Sequence, residues 1–540
     1  MSYWQKASKN QKFGFIFFII FFIFGFSITF AKAKIPTPFS PRFNKEDIGF
    51  GEEHDEDENY VCSPPPEQTY SRNWNLNAWL TKHSSLEASL RNLQTSQKGR
   101  IEPATFPEKN LKKEVNNFRR AWSAFVGPIP RLTCVPLDPK EEPLDLTDKE
   151  KSQLNFDAYT LKKVSYQGDH GARIPAYLFI PKDIEVRDRV PAVLVMHQAN
   201  AVCGKKESIG VCGNYRLNFA EDLAEKGYVV LAPDSIGYGE RSKYYEETGY
   251  EYSDAAPLLS RFPSSTLMGL RIADVMRGVD YLKQLNFVDD KRIGMIGHSN
   301  GGIETLFSAA FDNRIKCAVS NGGPNLIRRE ILSWGGKNPG IARWAGGAYM
   351  PTLGFFNNDV KNLPIEMHQL YAMIAPRGLF ISLMEDDSIA PNYDRVQFSM
   401  DEAAKAFKIL GGNFAYHTIA SGLTPENELE WAGPMNIAEN YTKCLSNTSS
   451  DCMSLFAAVG MTTTTVAEKV YPEYAAHDLW QDCLKANSNS EIACINNFSS
   501  VGLTTTTVQA AFFKYLKRDH GWYPETEAEA YPWLDECLNK

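Results

Sequence analysis

No C-x-x-C pair occurs among the ten cysteines of this chain, which removes a zinc ribbon from consideration. No run of lysine and arginine interleaved with aromatics occurs beyond the N-terminus, and the formal charge is −8. A general nucleic-acid binder would show a basic face, so that class is excluded. No cluster of metal-ligating residues suggests a bound ion. What the chain does have is apolar mass. Its 43% hydrophobic residues, 12% of all positions being aromatic, can build a substantial core over 540 residues, in one large domain with additions or in two or three domains.

The N-terminus carries Lys6, Lys9 and Lys12 ahead of the apolar run "FGFIFFIIFFIFGFSITF", and "AKA" follows at residues 31–33. A basic start, an apolar stretch and small residues two apart describe a secretory signal peptide over residues 1–33. The run also approaches the length of a membrane span, so an uncleaved anchor stays open beside it. Cleavage would remove four lysines and no acid, leaving a more acidic chain. All ten cysteines follow that segment, and an even count in an exported chain favours disulfides. Cys203 and Cys212 could close one loop, five more cluster toward the C-terminus, and Cys317 in the apolar "IKCAVS" reads as buried and reduced.

Residues 34–156 read as an acidic, proline-rich leader followed by a helical region around "NLNAWLTKHSSLEASLRNL" and "LKKEVNNFRRAWSAFV", with a proline-rich linker over residues 127–143. From residue 157 the pattern changes. "AYTLKKVSYQ" and "RIPAYLFIP" alternate as a hairpin, and "AVLVMH", "YVVLAPD", "RIGMIGH", "IKCAVSNG" and "LFISLM" read as buried strands. Between them "NYRLNFAEDLAEKG" has helical spacing, "LMGLRIADVMRGVDYLKQL" reads as a long amphipathic helix, and "NGGIETLFSAAF" begins another directly after its strand. Such alternation implies an α/β fold, a mostly parallel sheet covered by helices on both faces, over residues 157–422. Further on, "VGMTTTTV" at residues 459–466 recurs as "VGLTTTTV" at 501–508, and Cys452 and Cys494 share the same 42-residue offset. Two copies are fewer than a solenoid needs, so residues 423–518 read as a duplicated, cysteine-bearing helical insertion.

Gly297-His298-Ser299-Asn300-Gly301 matches G-x-S-x-G between a buried strand and a helix. That context makes Ser299 a nucleophile lifted above the sheet edge by a strained turn, rather than an ordinary turn serine. The backbone N–H of Asn300, at the helix start, would face a developing oxyanion. A second oxyanion donor is expected from the loop after "AVLVM", where the N–H of Gln198 is the candidate; the His197 side chain packs beneath the site without carrying a proton.

Five spaced stretches, "VPAVLVMHQ", "LAEKGYVVLAPDSIGYGER", "VDDKRIGMIGHSNGG", "AAFDNRIKCAVSNGG" and "MIAPRGLFISL", together resemble the α/β-hydrolase superfamily, in its dienelactone-hydrolase-like and acetyl-xylan-esterase-like branch. The resemblance covers about Tyr159 to Ala420. It implies an α/β-hydrolase fold and a triad in chain order Ser, acid, His. The acid then lies in "LFISLMEDDSIAP", which offers Glu385, Asp386 and Asp387. Asp387, with isoleucine two residues on and proline four on, matches the family's acid turn, and Asp386 is the second choice. In the family the histidine follows the last strand almost at once, but Leu423 occupies that slot here. Three candidates remain: His417 within the strand itself, His477 inside the first repeat copy, and His520, whose His-Gly turn leads into a final amphipathic helix. His520 is preferred, with residues 519–540 completing the core after the insertion.

A triad of this kind performs acyl transfer without metal or organic cofactor. The expected function is an exported serine carboxylesterase acting on an acetylated carbohydrate or another small ester, touching a membrane only if the N-terminal segment is retained. A serine peptidase of the same fold is one alternative. A catalytically inactive scaffold that binds a partner through the C-terminal repeats is the other. The stretch 321–356 is rich in tryptophan and glycine; Trp334 and Trp344 could stack on a sugar ring, line an acyl pocket or simply pack a loop.

Overall fold

The computed structural model describes residues 76–539 apart from 101–102, 131–134, 169–170, 183, 185–188, 214, 243–258, 260–264, 324–326, 329–348, 358, 386, 388–392 and 420–520. The chain divides into two units, residues 1–59 and 60–540, and every described residue lies in the second. The leader, the duplicated segment, Trp334, Trp344, Asp386, His477 and His520 lie outside the described residues.

Among the described residues nine strands form one sheet: β1 (Lys140–Glu142), β2 (Tyr159–Gln167), β3 (Arg173–Pro181), β4 (Val190–Met196), β5 (Val229–Pro233), β6 (Val288–His298), β7 (Ile315–Asn321), β8 (Gly378–Met384) and β9 (Asn413–Ile419). Their order is β1-β2-β3-β5-β4-β6-β7-β8-β9. β1, β2, β3 and β5 pair antiparallel, and from β5 onward every pair is parallel. The expected hairpin is β2–β3. The residues read as a linker include β1, an edge strand of three polar residues too short to show any periodicity.

Among the described residues the helices are α1 (Leu76–Lys82), α2 (Ser84–Arg91), α3 (Leu111–Val126), α4 (Asp148–Lys151), α5 (Phe219–Glu225), α6 (Leu267–Gln284), α7 (Asn300–Phe311), α8 (Met367–Ala372), α9 (Tyr393–Leu410) and α10 (Pro524–Asn539). Strand side chains alternate between two cores. Ala192, Leu194 and Met196 of β4 join the core under α3, α6, α7, α8 and α9, whereas Val193 and Val195 join the one under α5 and α10. A strand buried on both faces needs a continuous apolar run, which is why "AVLVM" shows no alternation.

Two expectations are corrected. Cys317 is not a reduced cysteine: it is bonded to Cys537, tying β7 to α10, while Cys203–Cys212 closes the loop anticipated for it. Gly378 on the neighbouring β8 makes room for the first bridge, since a Cβ there would lie 2.2 Å from the Cys537 sulfur. Second, α6 is not amphipathic in the solvent-facing sense. Its polar residues Arg271, Asp274 and Arg277 are buried with the apolar ones, and Arg271 and Asp274 are held in ion pairs to Glu304 and Arg241.

The C-terminal end of α7 is closed by two arginines. Arg377 donates to the carbonyls of Ala309, Asp312 and Ile315, and Arg119 to that of Ala310. Cations suit the negative end of a helix. Burial pushes both guanidinium groups down to about 10, with mutual repulsion adding to the effect at Arg377.

His368 of α8 is fully buried against the segment preceding α3, with Nε2 3.0 Å from the Ala104 carbonyl. Burial pushes its pKa down from 6.5 to about 3. The unfolded chain therefore binds a proton that the folded chain refuses, so this group's stability is present above pH 6.5 and is lost as pH falls toward 3. His368→Gln is expected to flatten the fall of melting temperature between pH 6.5 and pH 4. Parallel profiles for parent and variant would contradict this.

Candidate active site

The turn at Ser299 follows from three glycines and one strained residue. Ser299 sits at φ 55° and ψ −117° between the last residue of β6 and the first of α7. A non-glycine residue at positive φ costs about 1–3 kcal/mol and persists only where its surroundings force it. Here the surroundings are close backbones. A Cβ at Gly297 would lie 2.3 Å from the Gly301 carbonyl oxygen, one at Gly301 2.2 Å from that of Met196, and one at Gly302 2.7 Å from that of Asn321. The strand, the helix and the end of β4 thus meet with no room for side chains, and Ser299 is held up half-exposed between a buried His298 and a buried Asn300.

The same contacts bring the two proposed oxyanion donors to one place. Gly301 abuts the carbonyls of Met196 and His197, so the start of α7 lies against the residues leading to Gln198. As the first residue of α7, Asn300 has an amide with no intrahelical acceptor. His197 is fully buried; Ser235 N–H donates to its Nε2 at 3.1 Å and its Nδ1 lies 2.7 Å from the Gln198 carbonyl. Its ring is thus held between Ser235 and Gln198. Gln198 is itself held by its side chain, which donates to buried Glu207 at 2.8 Å.

The candidate acids separate by burial. Glu385 is exposed, whereas Asp387 is 5% exposed and follows β8 in a turn in which its N–H meets the Met384 carbonyl. Of the histidines, His417 lies inside β9, in the row that runs His417–Ser382–Asn321–His298 across β9, β8, β7 and β6. Three strand spacings put it roughly 14 Å from β6, beyond a hydrogen bond to Ser299. That alternative base is out of reach.

The segment from residue 521 is anchored beside Ser299. Ser299 N–H donates to the Asn321 carbonyl at 2.8 Å, and Asn321 Nδ2 donates to the Gly521 carbonyl at 2.8 Å and to His298 Nδ1 at 2.6 Å. Tyr523 packs on Met384 and Ile419 at the ends of β8 and β9, the Thr526 hydroxyl meets that of Ser382 at 3.1 Å, and Trp522 stands edge-on to Phe219 at 4.8 Å. The chain at residues 521–526 therefore runs along the carboxyl ends of β7, β8 and β9, the sheet edge that carries Ser299 and Asp387.

Sequence reasoning missed a buried polar cluster. Arg271 Nη1 donates to Asn300 Oδ1 at 2.9 Å and pairs with Glu304 at 2.9 Å, and Tyr349, the first described residue after 329–348, hydrogen-bonds the same Asn300 oxygen. Reading the charges of α6 as a solvated stripe hid this. The available signal was an arginine between Leu270 and Ile272 in the first half of that helix.

Known proteins resemble this chain over part of its length. The acetyl xylan esterase family matches residues 140–326 and the fungal glucuronyl esterase family matches residues 271–411. YtaP of Bacillus subtilis is 33% identical over 150 residues, 27% of this chain and 47% of its own length. Carbohydrate esterase MZ0003, from an unknown prokaryotic organism, is 28% identical over 139 residues, 25% of this chain and 31% of its own. The chain spans about half the length of the first of the curated relatives it matches. Among solved structures, the glucuronoyl esterase from Solibacter usitatus aligns with 61% of this chain and 94% of its own, at 17% identity and a TM-score of 0.43.

Proposed function

We propose that the chain is an α/β-hydrolase of the acetyl-xylan-esterase-like family and an exported serine hydrolase of carboxylic esters, acting on an acetylated carbohydrate or another small ester. Ser299 attacks the ester carbonyl and passes its proton to His520, which Asp387 orients and stabilises as imidazolium. The amides of Asn300 and Gln198 receive the oxyanion. His520 then returns the proton to the leaving alcohol, and water, activated by the same histidine, releases the acyl group from Ser299.

The observation that carries this reading is the bond from Asn321 to the Gly521 carbonyl, on the residue whose own carbonyl receives Ser299 N–H. It supports His520 as the base by bringing the next residue in the chain to within two hydrogen bonds of the nucleophile. On this reading residues 423–518 are an insertion between the last strand and the catalytic turn, and residues 1–33 direct export. The two disulfides suit an oxidising compartment.

A fluorophosphonate probe tests the reading, because it reacts only with an activated serine. Labelling should map to Ser299, and the protein should cleave p-nitrophenyl acetate in preference to a peptide anilide. Absence of labelling would remove the serine-hydrolase assignment, and faster anilide cleavage would move the chain to the peptidases.

A further inference from the structure

We infer that Arg271, Glu304, Ser235 and His197 are positioning residues, one continuous buried polar relay that holds both amides of the oxyanion hole in register. The inference rests on the esterase reading above.

The relay is traced bond by bond. Arg271 on α6 and Glu304 on α7 are each 1% exposed. The guanidinium forks, with Nη1 at 2.9 Å from both Asn300 Oδ1 and Glu304 Oε1 and Nη2 at 2.6 Å from the Ile236 carbonyl. Asn300 closes the triangle by donating from Nδ2 to Glu304 Oε1 at 2.7 Å, so both ends of its side chain are held. The other Glu304 oxygen accepts from Ser235 Oγ at 2.7 Å. The Ser235 amide donates to His197 Nε2, which leaves the proton on Nδ1 to be donated to the Gln198 carbonyl at 2.7 Å. The path thus starts beside one oxyanion donor and ends on the residue that supplies the other.

Stability alone is a weak reason to bury this ion pair, because well-packed apolar side chains of similar volume often serve as well or better. Geometry is a stronger one. Oxyanion stabilisation is effective when its dipoles need no reorganisation as charge develops, and a fully bonded polar network allows a single arrangement. The relay ties together four elements, the ends of β4 and β5 and the helices α6 and α7. The rings of Tyr238 and Tyr349, each 5.0 Å from the guanidinium carbon, flank Arg271 and restrict it to that pose. Lysine would keep the charge but not the planar fork.

The test compares Ser235→Ala, Asn300→Ala, the double variant and Arg271→Lys with the parent, reading kcat and KM for p-nitrophenyl acetate alongside thermal melting. Each of the three single variants should lower kcat by roughly 10- to 100-fold, less than loss of a direct oxyanion donor, with KM changed less than about threefold. Because Ser235 and Asn300 are joined through Glu304, the double variant should lose little more than the worse of the two singles. If Ser235→Ala and Asn300→Ala melt lower yet keep parental kcat within about twofold, the cluster is merely structural and the inference is wrong; losses that multiply in the double variant overturn the single relay. These two alanine variants decide the matter even if Arg271→Lys does not fold. A parent without turnover would remove the esterase reading and this inference with it, whereas an active parent with unaffected variants removes this inference alone.

Discussion

Ser299→Ala is expected to lower ester hydrolysis by about 10⁴-fold or more while leaving the melting temperature of the parent unchanged. The two halves of that expectation come from different atoms. Catalysis needs the hydroxyl, for which alanine offers no replacement. The turn needs only the backbone: Ser299 N–H bonded to the Asn321 carbonyl, Ile303 N–H bonded to the Ser299 carbonyl, and three glycines that admit the close approach. Alanine keeps the Cβ, so the cost of φ 55° is the same in both proteins. A variant that turns over like the parent would remove the nucleophile assignment. One that fails to fold would show that the hydroxyl has a structural part that the backbone contacts do not reveal.

The second large effect is expected at Gly301. A methyl group there would sit 2.2 Å from the Met196 carbonyl oxygen, 2.6 Å from its carbon and 2.7 Å from the His197 oxygen, all backbone atoms of a central strand and its exit. Neither side can move alone, so α7 must be pushed off β4. Overpacking of this kind costs about 1–3 kcal/mol and occasionally more. The chemical cost is larger on the proposed reading, in which the displaced element carries both the nucleophile and one oxyanion amide; a shift of about 1 Å can cost on the order of 10²-fold. Gly301→Ala should therefore lose at least that much kcat and melt lower. Gly354→Ala is the matched control, since its nearest neighbours are the flexible ends of Leu80 and Leu76 at 3.0 Å and beyond. Equal behaviour of the two variants would contradict the account of the turn.

Both effects rest on features legible in the chain itself. The turn was readable because glycines at positions 297 and 301 stand between an apolar run and a helix, a local pattern that needs no knowledge of distant partners. The parallel strands were readable for the same reason. Asp387 is chosen on the resemblance of its turn, with Ile389 and Pro391 following, to the family's acid turn; it is buried, whereas Glu385 is exposed. What was not legible depends on contacts between segments far apart. Cys317 reads as a reduced core cysteine until α10 brings Cys537 beneath β7. Arg271 reads as solvated until α7 supplies Glu304. Asn321 gave no signal at all, being a polar residue at a strand end whose importance arises from bonds to residues 298, 299 and 521. Tertiary pairing, rather than propensity, decides such positions.

The most direct test of the triad compares p-nitrophenyl acetate hydrolysis by the parent with that of His520→Ala, His477→Ala and His417→Ala. The account predicts a loss of about 10⁴-fold or more in His520→Ala alone, with His417→Ala close to the parent because that residue is three strands from the nucleophile. Parental activity in His520→Ala, with the loss falling instead on His477→Ala, would contradict it and place the catalytic base within the duplicated segment.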